Sequence, residues 1–308
     1  MRIAKIQFFV LTLTLALVWL GAFQLTGSRT LRIVACDVGQ GDAILIISGS
    51  SQILVDGGRG SSVLTCLGKY MPFWDREIEL VVLTHPQADH YEGLINVFRS
   101  YKVNTFLANA LESSNSGYQV LKSEVGGSQA RVINPKEGMG LRVGMMYLDI
   151  LHPTEEFIAS NTNTSSYQSE ASDNNLGVLG AYTTKLDPND FSIVFILKYD
   201  KFSALFTGDM GLELSNEVAQ KLGSNSNFVG LDYLKVPHHG SKNGLGESLV
   251  KVLQPKVAVI SAGRENPYGH PHKEVLDVLK ANNLTILRTD EMGDIILETR
   301  GEGFSQTP

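Results

Sequence analysis

Apolar side chains recur along this chain with two spacings, and the order in which the spacings alternate predicts its architecture. Short runs in which every residue or every second residue is apolar read as strands: Thr30 to Ala35, Ala43 to Ile47 and Gln52 to Val55. They are separated by Gly- and Asp-rich turns, Asp37 to Asp42 and Asp56-Gly57-Gly58, which predicts a meandering sheet. Ser62 to Tyr70 then shows helical periodicity, Glu79 to Leu83 is a continuous apolar strand, Tyr91 to Tyr101 a helix and Val103 to Leu107 another strand. The order recurs in the second half. Strands Met145 to Leu151, Ser192 to Lys198 and Phe202 to Thr207 come first. They are followed by helix Leu212 to Leu222, strand Tyr233 to Val236, helix Ser248 to Leu253, strand Lys256 to Ser261 and helix His272 to Ala281. Two short strands, Thr285 to Arg288 and Asp294 to Glu298, close the chain, and residues Ala159 to Asn175, rich in Ser, Asn and Thr, read as a long loop. Strands that first cluster and then alternate with helices suit two packed β-sheets with helices on both outer faces, an α/β fold of αββα sandwich type.

The first residues break this pattern. Arg2 and Lys5 precede a run from Ile6 to Ser28 with no charged side chain, long enough to cross a bilayer as one helix. The basic residues ahead of it predict that the amino end stays in the cytoplasm and the rest is exported. The alternative is a cleaved signal peptide, with Thr26-Gly27-Ser28 as the small-residue site. The expected organisation is a membrane anchor or signal segment over 1–28, one domain over 29–300 and a flexible tail over 301–308, with the domain outside the cytoplasm. Cys36 and Cys66 are the only cysteines; neither has zinc-site spacing, and an exported location would permit them to pair, but the preferred reading is two buried free thiols.

Charge narrows the function. With 43% apolar residues, 19% charged residues and a net charge of −6, the chain is a folded protein without the composition for an extended basic nucleic-acid face. Bound divalent cations would reverse that sign locally, so a nuclease stays open.

The chemistry sits at strand ends. In Leu83-Thr84-His85-Pro86-Gln87-Ala88-Asp89-His90 an apolar strand stops and three metal-capable side chains follow: His85, Asp89 and His90. Leu205-Phe206-Thr207-Gly208-Asp209 ends in a carboxylate, Leu234-Lys235-Val236-Pro237-His238-His239-Gly240-Ser241 in two imidazoles, and Tyr268-Gly269-His270-Pro271-His272 follows another strand. Strands running side by side would bring these ends to one rim, which is how separate short motifs build a metal centre. His152 also follows a strand.

The strings DVGQGD (Asp37 to Asp42), LVDGG (Leu54 to Gly58), THPQADH (Thr84 to His90), TGD (Thr207 to Asp209), PHHGS (Pro237 to Ser241) and YGH (Tyr268 to His270) occur in that order. Together they resemble the metallo-β-lactamase-fold domain of ComEC-type competence proteins, over about Leu31 to Glu298. The spans that carry the channel in full-length ComEC proteins have no counterpart here, so the resemblance implies the hydrolase part on a single anchor. It further implies one or two divalent ions, zinc or manganese. His85 would serve the first ion, Asp89 and His90 the second, Asp209 would bridge, and His238 or His239 would complete the shell. Asp56 would orient a ligand, Asn189 and Ser192 would stand where other members carry a third histidine, and Ser241 would lie near substrate. Asp89, Asp209, His239 and His270 are the expected catalytic residues; Lys242 and Arg264, just beyond these loops, could neutralise phosphate oxygens, but surface charge is the preferred reading for both. Gln87 departs from the family, which places His or Asp there; a neutral amide is a poorer ligand and predicts weaker binding of the first ion. The expected activity is hydrolysis of a phosphodiester, possibly DNA. The alternatives are lactone or thioester hydrolysis on the same fold, or a metal-binding member without catalysis.

Overall fold

The computed structural model describes residues 7, 11–15, 30–164, 177–225 and 230–307. Among these no helix is long and apolar enough to cross a membrane. The expected N-terminal span falls almost wholly outside the described residues, of which 7 and 11–15 are helical.

Two sheets lie face to face. The first holds β1 (Leu31–Ala35), β2 (Ile44–Ser48), β3 (Ser51–Val55), β4 (Glu77–Leu83), β5 (Lys102–Ala108) and β6 (Arg131–Ile133), joined by β16 (Ile295–Thr299) and β17 (Ser305–Thr307) in the order β17-β16-β1-β2-β3-β4-β5-β6. The second holds β7 (Gly140–Val143), β8 (Met146–His152), β11 (Val194–Tyr199), β12 (Phe202–Phe206), β13 (Tyr233–Lys235), β14 (Val257–Ile260) and β15 (Thr285–Arg288), in the order β15-β14-β13-β12-β11-β8-β7. A two-stranded ribbon, β9 (Asn163–Thr164) with β10 (Tyr182–Thr183), lies beyond the end of β5, where Tyr182 bridges to Leu111.

The αββα expectation holds, and alternation along β1 shows why. Ile33 faces the layer between the sheets with Leu80, Leu148, Phe195 and Phe206. Val34, one residue on, faces Leu67, Leu94 and Leu121 of the helices covering the first sheet. The second sheet repeats this, with Leu205 and Leu234 turned to Val218, Leu249 and Leu279. Strands buried on both faces read as unbroken apolar runs because neither side meets water.

Strand direction sets the position of the chemistry. β3, β4, β5 and β6 are parallel, as are β12, β13, β14 and β15, and β1 has the sense of β3 through its antiparallel neighbour β2. Every motif loop therefore leaves its sheet at a carboxyl end, and these ends share one rim, where ligands collect in open α/β sheets.

Three expectations are corrected. Cys36 and Cys66 are buried as expected but form a disulfide, with Cα atoms 6.0 Å apart, because the Ser62–Tyr70 helix packs Cys66 into the same core cluster as Cys36 at the end of β1. Part of the expected loop is ordered, since Glu155–Asn161 is a helix capped by Thr154, while 165–176 lie outside the described residues. The expected tail supplies β17, which pairs antiparallel along Ile296 to Glu298. Helix Ser116–Gly127 and strands β6 and β7 had no signal strong enough to read, being short or weakly periodic.

Closing a loop of 30 residues restricts the unfolded chain by about 3–4 kcal/mol on the chain-entropy account. Cys66→Ser is expected to lose stability of that order in urea denaturation, and dithiothreitol should bring the wild type to the same midpoint.

Candidate metal centre

Each histidine of the centre is fixed from behind. His90 Nδ1 lies 2.9 Å from Asp56 Oδ2, and Asp56 is itself held by the Thr84 amide (2.8 Å) and the Thr84 hydroxyl (2.7 Å), both donating to it. That hydroxyl, having donated its proton, accepts from His85 Nδ1 at 3.0 Å. His239 Nδ1 donates to the Ser261 carbonyl at 3.0 Å. With all three Nδ1 atoms engaged, the Nε2 lone pairs of His85, His90 and His239 point inward, and each Nε2 is buried without a hydrogen-bond partner. Such outer partners set the tautomer of a metal-binding imidazole.

Two carboxylates complete the arrangement. Asp209 Oδ2 stands 3.4 Å from His90 Nε2 and 3.2 Å from His239 Nε2, and Asp89 Oδ2 stands 3.6 Å from His239 Nε2. Candidate ligand atoms of Asp89, His90 and His239 lie within 4.8 Å of one another, as do those of His85, His90 and Asp209. Three inward imidazoles and two carboxylates are a donor set for zinc or manganese, so the residues fit a divalent ion. Orphaned buried nitrogens point the same way, since a buried polar atom without a partner is costly unless something binds it.

Local backbone makes the convergence possible. Asp56, His238 and His239 adopt left-handed φ angles of 59, 50 and 54°, a conformation that costs a non-glycine residue about 1–3 kcal/mol and collects at functional sites. Gly41 has φ +136°, and a Cβ there would collide with the Asp89 carbonyl. Gly93 lets the helix Ala88–Ser100 press onto the Gly57 carbonyl, while the Gly57 amide donates to the His90 carbonyl at 2.7 Å.

The structure resolves the tandem histidines. His239 is the buried member and belongs to the centre, whereas His238 is 29% exposed and its Nε2 is 4.0 Å from Asp209. His238 lines an open cleft of ≈ 340 Å³ over the centre, with Asp89, Asp209, Gln87, Tyr268 and His270. Gln87 turns aside, its amide donating to Asp187 Oδ1 at 3.3 Å. Ser192 is a positioning residue, since its hydroxyl accepts from the Asp209 amide at 3.0 Å. Asn189 is buried, with its Oδ1 lacking a hydrogen-bond partner. Ser241 caps its own turn, accepting from the Asn243 amide at 3.4 Å. Lys242 and Arg264 stand outside the cleft lining, Arg264 donating to the Asp290 carbonyl; Arg59 lines it instead. His152 is apart, its Nε2 2.9 Å from the Asp190 carbonyl.

Two buried charged residues, at the end of the Asp37–Asp42 turn and in β13, support the centre without a role predicted from sequence. Asp42 and Lys235 are each 1% exposed and form an ion pair; Lys235 Nζ also donates to the Gly208 carbonyl (3.0 Å) and lies 3.5 Å from Asp209 Oδ1. A lysine inside an apolar strand was the available signal, and its partner is almost 200 residues away in sequence, where spacing says nothing.

These charges set protonation. Burial pushes the imidazoles down, but Asp209 and Asp56 overcome it at His90, which rises well above its usual value. At His239, Asp209 and Asp42 win over burial and lift it to about 9. Burial works against Asp209, yet His239, His90 and Lys235 hold its carboxyl well below the usual range. Burial, reinforced by His239, His238 and His272, lowers His270 to about 4, so it is a neutral imidazole at neutral pH.

The Metallo-beta-lactamase superfamily model matches residues 36–264. The chain belongs to this superfamily. Among curated proteins it is 28% identical over 280 residues to ComE operon protein 3 of Bacillus subtilis, covering 84% of this chain and 32% of that protein. It is 25% identical over 279 residues to Recombination protein 2 of Haemophilus influenzae, covering 89% of this chain and 29% of that one. The chain thus spans about a third of the length of these relatives. The metallo-beta-lactamase fold protein YhfI from Bacillus subtilis superposes with a TM-score of 0.55 at 13% identity, covering 87% of this chain and all of YhfI, which shows the shared fold. The metallo-β-lactamase resemblance read from the six strings is confirmed.

Two expectations follow. Lys235→Met leaves Asp42 buried without its cation and should cost about 3–5 kcal/mol, with Lys235→Met/Asp42→Asn recovering most of it in urea denaturation. In chelator-treated protein, the raised His90 and His239 contribute stability that is fully present below their unfolded value near 6.5 and is lost as pH rises through about 9 for His239. Manganese should reverse the trend, because it binds only unprotonated imidazole; urea midpoints of the two forms against pH check both signs.

Proposed function

We propose that this protein is a metal-dependent phosphodiester hydrolase with one tightly held ion, and that DNA is within its substrate class. The observation that carries the reading is the clustering of Asp89, His90 and His239, with Asp209 against the Nε2 atoms of both imidazoles, beneath an open polar cleft. His85 offers a second position only by sharing His90 and Asp209 with the first, and Gln87, donating to Asp187, adds no ligand to it. A divalent ion held there supplies Lewis acidity toward water and a phosphoryl oxygen.

The chain's own groups do the rest. Asp89 and Asp209, both ionised, accept hydrogen bonds from the attacking water and aim it into the cleft. His238 and His270, with ring centres 5.7 Å apart at the rim, enter as neutral imidazoles and offer N–H groups to the non-bridging oxygens. Of the two roles open to a non-ligand histidine, contact with a phosphate oxygen or protonation of the leaving group, the lowered pKa of His270 suits the first. Arg59 in the cleft lining supplies positive charge toward the phosphodiester. The similarity to ComEC-type competence proteins supports DNA. The charge-free run 6–28 behind Arg2 and Lys5, together with the Cys36–Cys66 disulfide, supports a location outside the cytoplasm, where disulfides persist.

Metal analysis joined to activity tests the reading. Wild type should retain about one equivalent of manganese or zinc and cleave bis(p-nitrophenyl) phosphate and linear DNA. Asp209→Ala and His239→Ala should lose both properties, and Asp56→Asn should weaken metal affinity about 10–100-fold. Gln87→Asp should raise the metal content toward two. Undiminished cleavage by metal-verified Asp209→Ala protein would overturn the assignment.

A further inference from the structure

The end of the sandwich opposite the metal centre carries an unusual surface. Phe73 and Trp74 are 81% and 73% exposed, the two most exposed large apolar side chains among the described residues. They form the tip of a turn, Pro72 to Asp75, closed by the Asp75 amide donating to the Pro72 carbonyl at 2.9 Å, with the rings 4.8 Å apart edge to face. The turn is fixed to the start of β3, since the Gln52 side-chain amide donates to Asp75 Oδ2 at 2.9 Å. Two rings held rigidly in water at a braced turn make a contact surface waiting for an apolar partner.

Topology says what that partner is. β1, β3 and β4 share one sense, so Leu31, Ser51 and Glu77 begin their strands at the same end, and Leu31 pairs directly with Ser48 of the β2–β3 hairpin. Thr30, where the charge-free segment 6–28 enters the domain, therefore lies at the end that carries Phe73 and Trp74, about three strand spacings or 15 Å away. The β7–β8 turn comes to this end as well: Gly144 packs beside Ser51, and its neighbour Met145 is 54% exposed. Arg76, exposed, flanks the aromatic turn at the level where phosphate headgroups would meet it, while Lys102 at the same end is paired with Glu77 at 3.1 Å.

We propose that this end of the domain rests on a lipid bilayer, with Phe73 and Trp74 seated in the interfacial layer. The proposal rests on the extracytoplasmic location proposed above and takes the segment 6–28 as a retained membrane anchor rather than a cleaved signal. The indole of Trp74, with its N–H edge, favours the headgroup level of membranes, the Phe73 ring adds apolar area beside it, and attachment through Thr30 keeps the surface within reach. The consequence is orientation. The centre sits at the other end of strands five residues long, so the cleft opens away from the membrane, roughly 17 Å or more above it, toward a polymer arriving from solution.

The full-length chain with Trp19→Phe, leaving Trp74 as its only tryptophan, is reconstituted in phosphatidylcholine–phosphatidylglycerol vesicles with or without lipid brominated near the headgroup. Flotation scores attachment, and Trp74 emission scores the contact. Expected is co-flotation, with Trp74 emission at least about twofold lower in brominated vesicles, as for an interfacial tryptophan; an added Phe73→Ser should reduce the quenching while metal content stays unchanged. Co-flotation without quenching would overturn this proposal and leave attachment standing. A blue-shifted but unquenched Trp74 would also overturn it, in favour of a second protein copy on the surface. Failure to float would overturn attachment and the contact together.

Discussion

Four carboxylates, Asp42, Asp56, Asp89 and Asp209, meet at one buried rim, and the need to compensate that charge shapes the rest of the site. Buried anions are tolerated only when paired or hydrogen-bonded. The protein answers each differently. Asp56 takes two hydrogen bonds from Thr84 and one contact from His90, and Asp42 takes the Lys235 ammonium. Asp89 and Asp209 face imidazole nitrogens whose lone pairs also point inward, an arrangement that favours a proton or a divalent cation at the shared point. Raised protonation at His90 and His239 is the same demand met by protons.

The fold makes this concentration of charge affordable by giving it a rigid frame. Strands buried on both faces carry the ligand loops on short leashes, and the disulfide ties the Asp37–Asp42 turn to the adjoining helix. Backbone strain at Asp56, His238 and His239 shows that local preference yields to the site. The tandem histidines illustrate the outcome. Two neighbouring residues with similar φ angles part company, one into the centre and one to the cleft wall.

The site is asymmetric in a way that bears on chemistry. One position has Asp89, His90 and His239, with Asp209 against both imidazoles; the other adds only His85 of its own and shares His90 and Asp209, while Gln87 faces Asp187. Lys235 adds a permanent positive charge next to Asp209, on the side away from His90 and His239. A fixed ammonium cannot coordinate water as a metal does, but it lowers the charge deficit that a second ion would otherwise relieve.

By itself the sequence determined the layered αββα architecture, the strand-end placement of His85, Asp89, His90, Asp209 and the tandem histidines, and the irregularity at Gln87. These are local properties: apolar period, turn residues and short motifs are written in consecutive positions. Tertiary structure alone decided that His239 rather than His238 enters the centre, that Cys36 and Cys66 bond, that residues 305–307 extend a sheet, and that Lys235 neutralises Asp42. Each joins groups distant in sequence or turns on a single backbone angle. Side-chain period along a strand cannot carry that information, because it is created only when the two sheets close and their rims meet.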